Sequence, residues 1–191
     1  MRIVKDPDIR KIEILDGAIK VFAQRGYDGT TISDIAKELK ISQGLCYRYF
    51  PSKDSIYEAA LEKYAEKIAN ENLRRIDMEL PVRKMIEAST RRMEDFRAAE
   101  KDDSGLYELF HSENGRRLHD ELFLRVTQKL IPHMQEYLRN AKQKDEINIE
   151  DTDAAAVFGM YGWMGLCMDK ALSDEERLKK GRIALYKLLG L

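Results

Sequence analysis

The spacing of apolar residues limits the fold of this chain more than any other feature. They recur three and four positions apart, and no run alternates with the period of two that a half-buried strand needs. Only four prolines and eleven glycines interrupt 191 residues, so this periodicity predicts helix nearly everywhere. Asp6 and Pro7 open a helix that runs to Arg25, with Ile12, Leu15, Ile19 and Phe22 on one stripe and Gly26 as its stop. Thr31 and Asp34 resemble a capping box, with Asp in place of Glu, for a short second helix whose inner face is Ile32, Ile35, Ala36 and Leu39. After a break at Lys40 to Ser42, a third helix spans Gln43 to Phe50, and Pro51 stops it. Ser52 caps a fourth, from Lys53 to Ile76. Further helices are expected near 82–100, 103–112, 116–142, 151–172 and 174–189, the last opened by a Ser173–Glu176 box. Pro132 is expected to kink the helix that contains it. The expected fold class is all-α, with about nine helices.

Charge and cysteine usage narrow the function classes. The 33 basic and 34 acidic residues leave a net charge of −1, so no general polyanion-binding coat is present. Cys46 and Cys167 lie far apart in unlike surroundings and make neither a disulfide framework nor a metal-ligand pattern. The opening MRIVKDPDIRK lacks the apolar core of a signal peptide. The longest nearly charge-free apolar run, 154–168, is shorter than the ~20 residues a bilayer requires. A cytoplasmic protein without a membrane partner is therefore expected.

Two short helices joined by a tight turn read as a helix-turn-helix. Residues four apart share a helix face, so in the third helix Cys46 pairs with Phe50 and belongs inside. Gln43, Gly44, Tyr47 and Arg48 then face outward, with Leu45 and Tyr49 at the margins. An amide, a guanidinium and a phenol on one face suit base edges and phosphates. Ser42 at the helix start favours a phosphate. Lys53 sits at a helix N-terminus, a poor place for a cation unless a phosphate holds it.

Residues 26–61, GYDGTTISDIAKELKISQGLCYRYFPSKDSIYEAAL, resemble the N-terminal DNA-binding segment of the tetracycline-repressor (TetR) family. Gly26, Thr30-Thr31, Ala36, Tyr47-Arg48-Tyr49-Phe50 and Ser52-Lys53 carry the resemblance. It implies phosphate contacts from Thr31, Tyr47 and Lys53, and base or groove contacts from Ser33, Ser42, Gln43, Gly44 and Tyr49. Two positions depart from the pattern. Lys40 stands where many members have glycine, and a left-handed residue there would be mildly strained. Leu45 stands where many have Thr, which trades a phosphate contact for a possible thymine-methyl contact. Residues 1–55 hold ten Lys+Arg and eight Asp+Glu, a net of +2, which leaves −3 for the remainder. The expected organisation is a DNA-binding domain at 1–52 and a ligand-binding and dimerisation domain at 53–191.

The C-terminal part matches the family only in being helical. Gly159, Gly162 and Gly165 recur inside one helix, each costing about 1 kcal/mol relative to Ala. The resemblance implies a homodimer built from the last two helices, with Ala155, these glycines, Leu178, Leu185 and Leu189 as interface residues. Packing within one subunit, or room for a ligand, would also explain the glycines. The resemblance further implies a small-molecule pocket. Met85, Met93, Phe96, Tyr107, Phe110, His111, Phe123, Met160, Tyr161, Trp163 and Met164 either line it, for an apolar or aromatic inducer, or simply fill the core. Glu108-x-x-His111 is half of a di-iron signature, but Arg116 precedes His119 and Leu130 precedes His133, so no second half exists. No metal, no cofactor and no enzymatic activity are expected. The expected function is a ligand-released repressor of a pseudo-palindromic duplex operator; a helical lipid or small-molecule carrier, or a metal-binding bundle, is the alternative.

Overall fold

The structure is a computed structural model that describes residues 6–91 and 112–191. The described residues form eight helices and no strand. They are α1 Pro7–Arg25, α2 Ile32–Glu38, α3 Gln43–Tyr49, α4 Lys53–Arg75, α5 Val82–Ser89, α6 Arg116–Gln143, α7 Thr152–Met168 and α8 Asp174–Leu189. The helix expected at 82–100 closes at Ser89, where Thr90 donates its hydroxyl back to the Ile86 carbonyl at 2.6 Å. That expected at 151–172 stops at Met168. Pro132 lies within α6, which is continuous through it. The 103–112 helix and Met93, Phe96, Tyr107, Phe110 and His111 lie outside the described residues.

Two compact units divide the described chain, one of residues 6–65 with 112–122, the other of 66–91 with 123–191. Helices α4 and α6 contribute residues to both. In the first unit, Ile14, Ile19, Phe22, Ile35, Cys46, Ile56 and Leu61 are fully buried. Its α1 and α4 are tied by Asp16, which accepts from Lys63 and from the Tyr64 hydroxyl. Gly17 permits α1 and α2 to meet, because a Cβ there would collide with the Leu39 side chain. In the second unit, Val82, Ile86, Tyr137, Leu138, Ile147 and Leu189 belong to one core. The helix α5 starts without a side-chain cap from its own flank. Glu146 serves instead, accepting from the Val82 N–H at 2.9 Å. The Tyr137 hydroxyl donates to the Leu80 carbonyl at 2.7 Å. Burial, with the nearby Glu146 and Asp77 charges, pushes that phenol above its ordinary value.

Candidate nucleic-acid interface

The helix-turn-helix is assembled by caps. Thr31 and Asp34 form the reciprocal capping box at the start of α2: the Asp34 carboxylate accepts from the Thr31 N–H and hydroxyl, and the Asp34 N–H donates back to that hydroxyl. The hydroxyl bond, then the backbone bond, holds Asp34 below the ordinary carboxylate range. Arg25 adds an ion pair at 2.9 Å. At the other end of α2, Ile41 N–H donates to Ala36 O and Lys40 N–H to Lys37 O, a Schellman closure with Lys40 left-handed at φ 53°. Ser42 then caps α3, its Oγ accepting from the Leu45 N–H at 3.2 Å.

This geometry divides α3 into two faces. Cys46 is 0% exposed and Phe50 is buried. Burial pushes the Cys46 thiol up, so it behaves as an apolar filler. Ser42, Gln43, Gly44, Tyr47 and Arg48 are exposed, while Leu45 and Tyr49 are half-buried. Tyr47 is 50% exposed, and nothing lies within 4 Å of the position a Gly44 Cβ would take. Thr31 is exposed and Ser33 half-buried, at the start of α2.

Three residues implied as phosphate contacts differ in availability. The Tyr47 phenol projects from α3 into solvent. The Thr31 hydroxyl proton is engaged by Asp34 at 2.6 Å. Lys53 is half-buried and donates to the Tyr27 carbonyl at 2.9 Å, with its amine 4.1 Å from the centre of the Tyr27 ring. Carbonyl and ring together offset the unfavourable helix-dipole position of Lys53, so no phosphate is needed to account for it. Sequence reasoning missed Tyr27, because a partner 26 residues away leaves no local signal.

Tyr27 is the centre of a wider cluster. Its ring packs edge-on against Tyr57 at 4.8 Å and is stacked with Phe22 at 5.9 Å. The Tyr57 hydroxyl donates to Glu121 at 2.9 Å, and Arg117 bonds the same carboxylate at 2.9 Å. Burial, then the Glu121 carboxylate, raises the Tyr57 phenol above its ordinary value. Asn114 donates to the Gln24 carbonyl at 3.1 Å. The first turns of α6 are therefore part of the helix-turn-helix unit.

The remaining candidates lie on α5 to α8. Met85, Phe123, Met160, Tyr161, Trp163 and Met164 are half-buried, and Met85 and Met160 pack on the core of the second unit. Trp163 lies on α8 at Gly181, where a Cβ would run into its ring. Ala155 and Leu189 are buried within that core. Gly159 meets Leu185 of its own chain, 3.3 Å from a virtual Cβ, and Leu178 is half-buried. Gly162 and Gly165 face open space. With Phe158 and Met168 they form one exposed stripe of α7, and Ile183 is exposed on α8. Among the described residues no helix is long and apolar enough to cross a membrane, and no group of three or more His, Cys, Asp or Glu is placed to hold a metal.

Residues 14–60 match the family described as bacterial regulatory proteins, tetR family. An uncharacterized HTH-type transcriptional regulator, YuxN of Bacillus subtilis (strain 168), is 48% identical over 54 residues, which are 28% of this chain and 19% of YuxN. The biofilm operon icaADBC HTH-type negative transcriptional regulator IcaR of Staphylococcus aureus (strain Newman) is 48% identical over 52 residues, 27% of this chain and 28% of IcaR. The chain thus spans less than a third of the length of these relatives. Two solved structures extend the likeness of fold to nearly the whole chain. A TetR-family regulator from Mesorhizobium loti aligns over 97% of this chain and 98% of its own, with a TM-score of 0.65 and 19% identity. The transcriptional regulator FadR of Bacillus subtilis aligns over 93% and 97%, with a TM-score of 0.59 and 17% identity. Residues 14–60 thus carry the N-terminal segment of the tetR family of bacterial regulatory proteins, set in an all-helical fold like that of these solved structures.

Proposed function

We propose that the protein is a homodimeric, ligand-released transcriptional repressor acting in the cytoplasm, in which each α3 enters a major groove of a pseudo-palindromic operator. The observation that carries this reading is the outward face of α3. Gln43, Gly44, Tyr47 and Arg48 are exposed together while Cys46 and Phe50 anchor the opposite side. Gln43 matches adenine edges, Arg48 a guanine or a phosphate, and the Tyr47 hydroxyl a phosphate oxygen. Gly44 lets the backbone approach the groove. Leu45 and Tyr49 flank this face, and Thr31, Ser33, Ser42 and Lys53 are its candidate edges; Thr31 and Lys53 would have to exchange an internal partner for a phosphate.

Self-association is supported by the stripe of Phe158, Gly162, Gly165 and Met168 on α7, with Ile183 on α8. Phe158 is 72% exposed, an unfavourable position for an aromatic ring unless a second surface covers it. An apolar or aromatic inducer is supported by the half-buried Met and aromatic side chains of the second unit. The FadR structure holds stearoyl-CoA, so a fold of this kind accommodates a ligand with a long apolar chain. An inducer that binds better to a form with a different separation of the two recognition helices would release the operator.

The test is selection of duplexes from a random library, followed by titration with wild type, Gln43→Ala and Tyr47→Phe. We expect an inverted-repeat site, relaxed base preference for Gln43→Ala, and uniformly weaker binding for Tyr47→Phe. Failure to enrich any duplex would overturn the reading.

A further inference from the structure

The turn between α2 and α3 is closed by a residue that local backbone preference does not favour. A left-handed position after a helix is the usual place of glycine, because any Cβ there crowds the backbone. The same closure at the end of α8 uses Gly190, at φ 68°. At the end of α2 the residue is Lys40, at φ 53°. Inward packing does not compensate for it: Lys40 is exposed, and no hydrogen bond or ion pair among the described residues engages its amine. The helix α6 is closed in the same way by the exposed Asp145, at φ 58°, so the backbone alone does not single Lys40 out; its unpaired charge and its place beside α3 do.

Its position indicates a partner outside the chain. Lys40 is two residues before Ser42, so the two Cα atoms are at most about 7.6 Å apart. Ser42, Gln43 and Gly44 are all exposed at the start of α3. A four-carbon stem brings the ammonium within the footprint of any duplex that this face touches. Lys37 and Glu38, also exposed, cancel in charge and leave Lys40 as the local excess.

We propose that Lys40 is a DNA-contact residue whose ammonium pairs with a backbone phosphate beside the groove that α3 enters. The proposal rests on the DNA-binding reading above and adds a contact that the glycine usual at this position cannot make.

Three variants separate charge from backbone. Lys40→Gln keeps a side chain in the left-handed turn and removes only the charge. Lys40→Gly relieves the strain and removes both. Lys40→Arg restores a cation. Each is titrated across salt concentrations against a duplex selected by the wild type from a random library, and its thermal unfolding is measured. One lost phosphate contact lowers the slope of log K against log salt by about 0.9 per protomer, an affinity loss of roughly eightfold at 0.1 M salt relative to 1 M. Lys40→Gln and Lys40→Gly should both show that loss, Lys40→Arg should not, and Lys40→Gly should melt higher than wild type while binding worse. Wild-type affinity and slope in Lys40→Gln would overturn the proposal and leave the DNA reading standing. A wild type that selects no duplex would remove both.

Discussion

Helices α3 and α7 show opposite relations between sequence and environment. In α3 the polar and apolar positions sort by face, and burial follows: Cys46 and Phe50 inside, Gln43, Tyr47 and Arg48 outside. In α7 nearly every position is apolar or glycine, yet only Thr152, Ala155 and Ala156 are buried. Phe158 and Met168 stand in solvent while Trp163 packs on α8 at Gly181. A polar outward face identifies itself, because burying it unpaired is costly. An apolar one does not, because core and subunit interface draw on the same residues.

The comparison is broken most directly at Phe158. Charge placed there by Phe158→Lys should turn the proposed dimer into a monomer by light scattering. Loss of the second recognition helix should lower operator affinity by about a hundredfold or more, the usual scale of bivalency. The variant should keep its helical circular dichroism, because the ring packs little against its own chain. A monomeric wild type, or a dimeric variant, would show that α7 presents its stripe to something else.

Two glycines sharpen it next. Gly181→Ala drives a methyl into the Trp163 ring and should cost about 1–3 kcal/mol by chemical denaturation, as overpacking does. Gly162→Ala meets nothing within the protomer, and removing a mid-helix glycine should stabilise the fold by about 1 kcal/mol. Equal effects at the two sites would mean that α7 and α8 are not packed as described.

These glycines also show how much was legible in the sequence. The caps at Asp6, Thr31 and Ser173, the stop at Gly26 and the left-handed Lys40 are local features, and the structure contains each of them. So is the division of α3 into faces, which needs only the four-residue repeat. What the sequence could not supply was pairing at a distance. Tyr27 engages Lys53, Glu121 joins Tyr57 to Arg117, and Glu146 caps α5 from 64 residues away. Each partner is an ordinary surface residue type until the fold brings it close. The same gap explains why Leu189 and Ala155, which the family resemblance implied for a dimer interface, are buried in the core of their own unit, and why the close contacts at Gly17 and Gly181 leave no local signal.

On α3 the expected effects are smaller than on α7. Gln43→Ala should cost about tenfold in affinity for the selected operator, about 1.4 kcal/mol, and little for unrelated duplexes. A uniform loss across sequences would make Gln43 a backbone contact instead, and would weaken the claim that this face reads bases.

The smallest effect compares the two capping boxes, one in each unit. Asp34 is held below its ordinary value chiefly by the Thr31 hydroxyl, and Glu176 chiefly by the Ser173 backbone N–H. A carboxylate lowered in the folded state binds protons less readily there than in the unfolded chain. Its stabilisation is complete above the ordinary carboxylate range and is lost as pH falls through the lowered value. Thr31→Ala removes the leading donor, whereas Ser173→Ala leaves the leading donor in place. Each should cost about 1 kcal/mol near neutral pH as a lost N-cap. The difference from wild type should shrink on acidification more for Thr31→Ala than for Ser173→Ala. Chemical denaturation of the three proteins from neutral to acid pH measures this, and parallel curves for both variants would mean that the hydroxyl–carboxylate bond at Thr31 contributes no more than its counterpart at Ser173.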